Sequence, residues 1–402
     1  MTSEWHEVPL RELVGYISKG IAPSYAEEAS ETTIRVLNQK CNRNFRISYG
    51  DSRLHDTLKK KVPPERYVKP DDILINSTGA GTAGRIAQIE DVPSATTIDG
   101  HMILIRSNRK VTQKFLGYAL KAHQWEVLQL DEGSTGQTEL NRDRLLDEIM
   151  INYPVSFDEQ NAIVGTLESI DRKLIVNEQL NDNLEQQAQA IYHERFETVS
   201  PNDLPSDWRI VTLGEVATIS NKSFNPLKEP EILLEHYSIP AFDEARFPVF
   251  ELSTSIKSNK FIIDASCFMI SKLNPTTKRV WKPYCLTGNA VCSTEFIVYK
   301  AKDKTITDFL YSVIDSNSFF DFMCSHVTGS TGSRQRTTPS DTLSYELILP
   351  SEDELAKFQS LVSPMYAQIR INAIENDRLK RLRDSLLPKL MSGEIDVSTI
   401  QL

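Results

Sequence analysis

Cysteine is scarce in this chain: Cys41, Cys267, Cys285, Cys292 and Cys324 are five in 402 residues, too few and too scattered for a disulfide framework. The closest pair, Cys285 and Cys292, lacks CxxC spacing and has no histidine cluster beside it, which argues against zinc and suits a reducing cytoplasm. Long apolar runs are missing too. Nothing approaches the roughly 20 apolar residues of a membrane span, and the opening MTSEWHEVPLREL has no apolar core of the kind a signal peptide needs. The chain also lacks a nucleophile elbow, a Walker loop, an HExxH pair, the Asp/Asn-Pro-Pro-aromatic grip of amino-methyltransferases and a nuclease carboxylate cluster. The expectation is a protein with no catalytic residue, metal or cofactor of its own. Positive charge is in deficit as well, since the net charge is −10, which for the whole chain argues against a polyanionic partner.

What the chain does have is itself, twice. WHEVPLREL at 5–13 recurs as WRIVTLGEV at 208–216, DDILINS at 71–77 as SCFMISK at 266–272, and GHMILI at 100–105 as TEFIVY at 294–299. KFLGYAL at 114–120 matches DFLYSVI at 308–314, and GSTG stands at both 133–136 and 329–332, with Pro154 and Pro350 the same distance beyond. One module of about 200 residues has been duplicated, a period far too long for a solenoid. Each copy opens with short alternating apolar runs punctuated by Pro and Gly, which read as an α+β domain rich in strands, and ends in a long helical segment. The expected boundaries are a β-rich domain at 1–156, a helix at 157–199, a linker at 200–207 around Ser200–Pro205, a second β-rich domain at 208–350, a second helix at 351–391 and a tail at 392–402.

Both helices follow a heptad. The first seam is Ile163, Leu167, Ile170, Leu174, Asn177, Asn181, Leu184, Ala188 and Ile191; the second is Phe358, Val362, Met365, Ile369, Asn372, Asn376, Leu379, Arg383 and Leu386. If the helices run antiparallel, residues whose numbers sum to 553 face each other, so Asn177 meets Asn376 and Asn181 meets Asn372. A buried asparagine costs stability unless it meets another, and so fixes register. The alternative is that the four asparagines face solvent on helices packed separately. At about 1.5 Å per residue each helix reaches roughly 55–60 Å, and the expected architecture is two β-rich domains related by a pseudo-twofold axis and separated by an antiparallel coiled coil.

The loop STGAGTAGRIA places Gly79, Gly81 and Gly84 in a GxGxxG pattern with Asp99 downstream. A dinucleotide site needs a helix opening at the third glycine, yet Arg85–Ile89 alternates as a strand does, and the second copy, SKLNPTTKRV, has none of the glycines. A strand–loop–strand with a polar tip fits better.

Charge by segment alters the first impression. Residues 157–200 carry a net −6, while residues 35–69 carry a net +7. Among the latter, Lys40, Arg43, Arg46, Lys59, Lys60 and Lys61 are candidate phosphate contacts; a solvated surface with scattered counter-charges is the alternative. Arg pairs bidentately with guanine, and Gln or Asn with adenine. In the second domain Lys272, Asn274, Lys278 and Arg279 on one tip and Arg334, Gln335 and Arg336 on another are therefore candidate readers. The matching tips of the first domain offer Thr82, Arg85, Gln137, Asn141 and Arg142. The loops match in frame and differ in residues, which suggests one scaffold with two specificities, though turn-forming chemistry alone also accounts for these residue types. The acidic face of the first helix (Glu168, Asp171, Glu178, Asp182, Glu185) is expected to turn towards a partner protein or solvent.

With these features the sequence resembles the specificity subunits of type I restriction–modification systems over essentially its whole length. The strongest carriers are VKPDDILINSTGAGTAGRIA, INYPVSFDEQNAIVGTLESIDRKL and LLPKLMSGEI. In that family a Pro followed by Glu-Gln begins each conserved helix; Pro154 and Glu159-Gln160 fit, whereas the second copy keeps Pro350 but reads Glu354-Leu355. The resemblance implies two target recognition domains, each reading one half of a split, asymmetric duplex DNA sequence. The helices between them would set the spacer and dock two modification (methyltransferase) subunits and, through these, the translocating restriction subunits. S-adenosylmethionine and ATP would then be bound by the partner subunits only. The competing class is a coiled-coil scaffold whose two β-rich domains bind proteins.

Overall fold

The runs ILIN and MILIRS in the first repeat, and CFMIS and FIVYKA in the second, are β-branched and long apolar side chains uninterrupted by Pro or Gly, the composition of strands buried on both faces. The computed structural model, which describes residues 4–79, 81–132, 139–328 and 335–397, places each pair at the centre of a four-stranded sheet. The chain divides into one unit made of Met1–Lys173 with Lys380–Leu402 and a second made of Leu174–Leu379.

In the first unit, β1 (Val14–Lys19), β2 (Ile73–Asn76), β3 (Ile86–Gln88) and β4 (Met102–Ser107) form an antiparallel sheet in the order β1-β4-β2-β3. Side chains alternate along a strand. Ile73, Ile75, Ile103 and Ile105 therefore enter one core with Phe115, Leu116, Ala119 and Leu120 of helix Gln113–Ala122. Leu74, Met102 and Leu104 enter another, with Leu37, Cys41, Ile89 and Ile98. That helix starts where the Thr112 hydroxyl accepts from the Phe115 amide at 3.2 Å. A second sheet orders Thr96–Ile98, Thr33–Leu37, Arg53–Asp56 and Tyr25–Ala26, its first pair parallel. Strand Trp5–Pro9 pairs antiparallel with Met150–Pro154. The chain's end returns here: Leu387, Leu390 and Met391 complete the first core. Gly393, at φ +74°, lies so close to Trp5 that a Cβ would stand 3.0 Å from the indole.

The second unit repeats the plan. Strands β5 (Ala217–Ile219), β6 (Cys267–Ser271), β7 (Val280–Trp281) and β8 (Phe296–Ala301) lie in the order β5-β8-β6-β7. Phe268, Ile270, Ile297 and Tyr299 face helix Thr307–Ile314, and Cys267, Met269, Phe296 and Val298 face a core with Tyr237, Trp281 and Cys292. Arg209–Thr212 pairs with Glu346–Leu349, as the first unit's opening strand pairs with its exit strand. All five cysteines are free thiols, and burial pushes Cys267 up to about 11 and Cys285 up to about 12.

The long helices are α1 (Phe157–Tyr192), ended by one π turn at His193–Glu197, and α2 (Glu352–Met391). Each seam position is buried or half-buried. Within the second unit, Asn177 donates to Asn376 Oδ1 at 2.9 Å and Asn372 donates to Asn181 Oδ1 at 2.8 Å, so the helices run antiparallel there. The Glu-Gln of the first repeat acts through Gln160. This fully buried amide accepts from the Thr112 amide at 2.8 Å and donates to Pro154 O at 2.9 Å, clamping the start of α1 to the domain it leaves. The second repeat fills the same place with the buried side chain of Leu355.

Three members of the acidic face of α1 correct the expectation that it turns towards a partner or solvent. Glu168 accepts from Lys114 at 2.6 Å, Asp171 accepts from Lys121 and Arg383 at 3.0 Å and from Tyr118 at 2.9 Å, and Glu185 accepts from Arg246 at 2.7 Å. Their charge is spent inside the units that hold them. Among the described residues no helix is long and apolar enough to cross a membrane.

Candidate nucleic-acid interface

Both units bring the same three chain segments together where the central strands end. In the first, the Ser77 amide just beyond β2 donates to His101 O at 2.8 Å, and the Leu140 amide donates to Ser77 O at 2.8 Å. Thr78 bridges to Glu139, its hydroxyl 2.7 Å from His101 Nδ1 and 3.4 Å from Gln39 Oε1. Lys19, at the end of β1, pairs with Glu139. In the second unit the Lys272 amide donates to Glu295 O at 2.9 Å, the Thr337 amide donates to Lys272 O at 3.2 Å, and Leu273 bridges to Arg336. The Arg336 guanidinium grips Glu295 through two bonds of 3.0 Å, which holds that carboxyl below its usual range.

The backbone frames are equivalent and the side chains are not. Where the first unit has Thr78, His101 and Glu139, the second has Leu273, Glu295 and Arg336. The strand-tip and GSTG-flanking motifs, which lie far apart in sequence, thus converge in each unit. The repeat alignment already set His101 against Glu295, and that difference in chemistry was the signal for two residues the sequence reading passed over.

The glycine loop is a strand–loop–strand. It joins β2 to β3 with Gly79, Gly81 and Gly84 at φ +115°, +70° and +84°, and no helix opens at the third glycine. Thr82 and Ala83 amides both donate to Gly79 O at 2.9 Å, and the Arg85 guanidinium donates to Gly81 O at 3.2 Å. The Thr82 hydroxyl is likewise turned onto its own loop, 3.3 Å from Gly79 O.

The remaining candidates divide by what holds them. Asn141 caps helix Arg142–Glu148, its side chain accepting from the Asp143 and Arg144 amides at 3.0 Å, with Arg142 exposed beside it. Lys278 is tied to Asp315 at 2.9 Å, and Arg279 to Asp243 by bonds of 2.6 and 2.8 Å. Lys272 is half-buried beside Glu295. Asn274, left-handed at φ +47°, donates its amide to Gln335 O at 3.0 Å, and its buried Oδ1 has no hydrogen-bond partner among the described residues. Gln137 and Arg334 lie outside the described residues.

In the basic stretch, Arg43 and Arg46 face each other across a two-residue hairpin turn whose central residues, Asn44 and Phe45, sit at φ +53° and +61°. Asn42 of that hairpin donates to Arg85 O at 2.8 Å, so Arg43, Arg46 and Arg85 share one neighbourhood. Lys40, Lys59, Lys60 and Lys61 are exposed; Lys59 lies 3.8 Å from Asp56, and Lys60 donates to Ala22 O at 2.8 Å. Among the described residues no group of His, Cys, Asp or Glu side chains could hold a metal ion.

Residues 2–186 match the family model described as type I restriction modification DNA specificity domain. The chain is 25% identical over 384 residues to the type I restriction enzyme MjaIX specificity subunit of Methanocaldococcus jannaschii, spanning 88% of this chain and 84% of that protein. It is 33% identical over 93 residues to the HindI specificity subunit of Haemophilus influenzae, spanning 23% of this chain and 20% of that one. Its fold is similar to the crystal structure of a type I restriction–modification S subunit from M. genitalium, with a TM-score of 0.58 at 16% identity over 97% of this chain and 96% of that chain.

Proposed function

We propose that this chain, whose residues 2–186 match the type I restriction modification DNA specificity domain, is the non-catalytic subunit that reads a bipartite, asymmetric duplex DNA target. Each unit reads one half-site. The observation that carries the reading is the strand-end frame built twice on one topology with unlike side chains, Thr78, His101 and Glu139 against Leu273, Glu295 and Arg336. Duplicated hydrogen bonding holds the loops alike, while divergent side chains read different bases. The chain also scaffolds two adenine methyltransferase subunits and, through them, the translocating nuclease subunits, which carry S-adenosylmethionine and ATP in the cytoplasm. Its own contribution is placement: it holds the duplex where a partner can flip an adenine out of the stack.

Coexpression with the modification subunits, followed by methylome sequencing, tests this. The expected result is one interrupted adenine-methylated motif that is absent without this chain. Methylated motifs unchanged by its deletion would refute the reading, and a chain that retained a protein partner under that result would be an interaction scaffold.

Two side chains separate base reading from phosphate binding. Arg336→Ala should relax one position of one half-site, with discrimination there falling about tenfold, because it removes the guanidinium and also releases the Glu295 carboxylate that it holds in the strand-end frame. Competition binding with single-base variants measures it, and a uniform loss across variants would move Arg336 to the phosphate class. Lys61→Ala should instead weaken binding to every duplex and flatten the slope of log K against log salt by about 0.9, one released counterion. Titrations at several salt concentrations decide, and an unchanged slope would take Lys61 out of the phosphate contacts.

A further inference from the structure

Trp125 is out of place on a surface that has no structural use for it. It is 74% exposed, on the short helix Gln124–Val127. The other tryptophans are engaged: Trp281 is buried, Trp5 donates to Glu159 at 3.2 Å, and Trp208 packs on the Phe196 ring at 5.7 Å. The helix is locked in place by its neighbours. Gln124 accepts from the Ile86 amide at 2.9 Å and donates to Gly84 O at 2.8 Å, while Val127 is buried in the core. The indole is therefore carried on a fixed support, a short helix whose Gln124 side chain and Val127–Leu128 backbone pack on the end of the glycine loop.

That position lies in the basic neighbourhood already described. Arg85 follows Gly84; the hairpin bearing Arg43 and Arg46 is fastened to Arg85 by Asn42, and its Phe45 bridges to Ala87. The nearest acid in sequence, Glu126, is paired with His123 at 2.9 Å. In the second unit the helix Asn317–Ser325 has no exposed large aromatic among the described residues, so the feature belongs to one unit alone. A rigidly held, solvent-facing aromatic on a helix fastened to the loop and hairpin that bear Arg43, Arg46 and Arg85 is an arrangement that lays a flat apolar surface on a nucleic acid whose phosphates nearby cations hold.

We propose that Trp125 is a DNA-contact residue of the first unit, its indole packed against the sugar–base edge of the duplex while Arg43, Arg46 and Arg85 hold the adjoining phosphates. The inference rests on the DNA-reading function above and adds a contact that the strand-end loops do not supply. It also makes the two half-sites unequal, since only the first unit gains apolar contact.

The test uses the full chain in complex with its modification subunits and a labelled duplex of the methylated sequence. With Trp125→p-benzoylphenylalanine, irradiation should crosslink the chain to DNA within one half-site. Trp125→Ala should bind that duplex about tenfold more weakly, the loss expected of one aromatic contact, with the thermal midpoint unchanged, and Trp125→Phe should retain most of the affinity. Crosslinking to a modification subunit in place of DNA would overturn the proposal in favour of a protein contact. An unaltered affinity in Trp125→Ala, with no crosslink while duplex is bound, would overturn it outright. Failure of the wild-type complex to bind any duplex would remove the DNA-reading function itself, and this inference with it.

Discussion

Replacing Asp171 with alanine is expected to lower the unfolding free energy by about 3–5 kcal/mol, the cost of removing one partner from a buried ion pair. The carboxylate is only 17% exposed and faces Lys121 at 10% and Arg383 at 14%, so its loss strands Lys121 away from water and leaves Arg383 with its neighbour Asp384 alone. Burial works to raise the Asp171 carboxyl, but the two cations outweigh it and hold the group below its ordinary value of 3.8. Burial also pulls the Lys121 ammonium down, which makes Lys121 the cation most dependent on this carboxylate. A depressed folded pKa means that the stabilisation is in force above the unfolded carboxylate range and is lost as pH falls through the folded value. Urea unfolding at neutral and acid pH should therefore show a large gap between wild type and Asp171→Ala that narrows on the acid side. Equal midpoints at neutral pH would sink the account. Replacing Asp171, Lys121 and Arg383 together with apolar residues should recover much of the loss, because no charge is then left buried. The site is coupled to the same network: the Lys121 ammonium lies 5.0 Å from the centre of the Phe45 ring, in the turn between Arg43 and Arg46.

That network also marks where the sequence could and could not be read. The helix pair was legible because a heptad seam with asparagines at fixed steps encodes which residues meet, and the information lies within two short windows. The duplication was legible for a similar reason, since equivalent strands keep their apolar period. Three carboxylates of the acidic face were not legible as paired because their counter-charges, Lys114, Lys121 and Arg246, sit 50 or more residues away in the chain. Lys278 and Arg279 looked like free reading residues for the same reason, their carboxylates at Asp315 and Asp243 arriving from other elements. Asn141 shows a different limit. A helix cap and a base reader are the same residue type at the same kind of loop end, and only the two amides aimed at its oxygen tell them apart. Trp125 left no periodic signal at all, because its meaning lies in exposure, which a single chain of letters does not record.

The asparagine pairs carry the second large expectation. Asn177→Leu should cost about 2–3 kcal/mol, since burying one orphaned amide forfeits its desolvation as well as the bond. In this case Asn376 Oδ1 loses its 2.9 Å donor and Glu375 loses a 2.7 Å donor from the same amide. Asn376→Leu alone should cost a similar amount for the reciprocal reason. The double replacement should cost less than the sum, because two leucines facing each other leave no asparagine amide unsatisfied, with only the Glu375 donor still missing, and extend a seam that already has Leu174 and Leu379 beside them. Urea unfolding of the four proteins gives the coupling directly. Strictly additive losses would mean that the two side chains do not depend on each other, whatever their distance. If the coupling is found, it locates the use of these asparagines in register and not in stability. A slip of one heptad sets Asn177 against Ile369 or Arg383 instead of Asn376 and is penalised for it, a penalty that the paired leucines remove at this position.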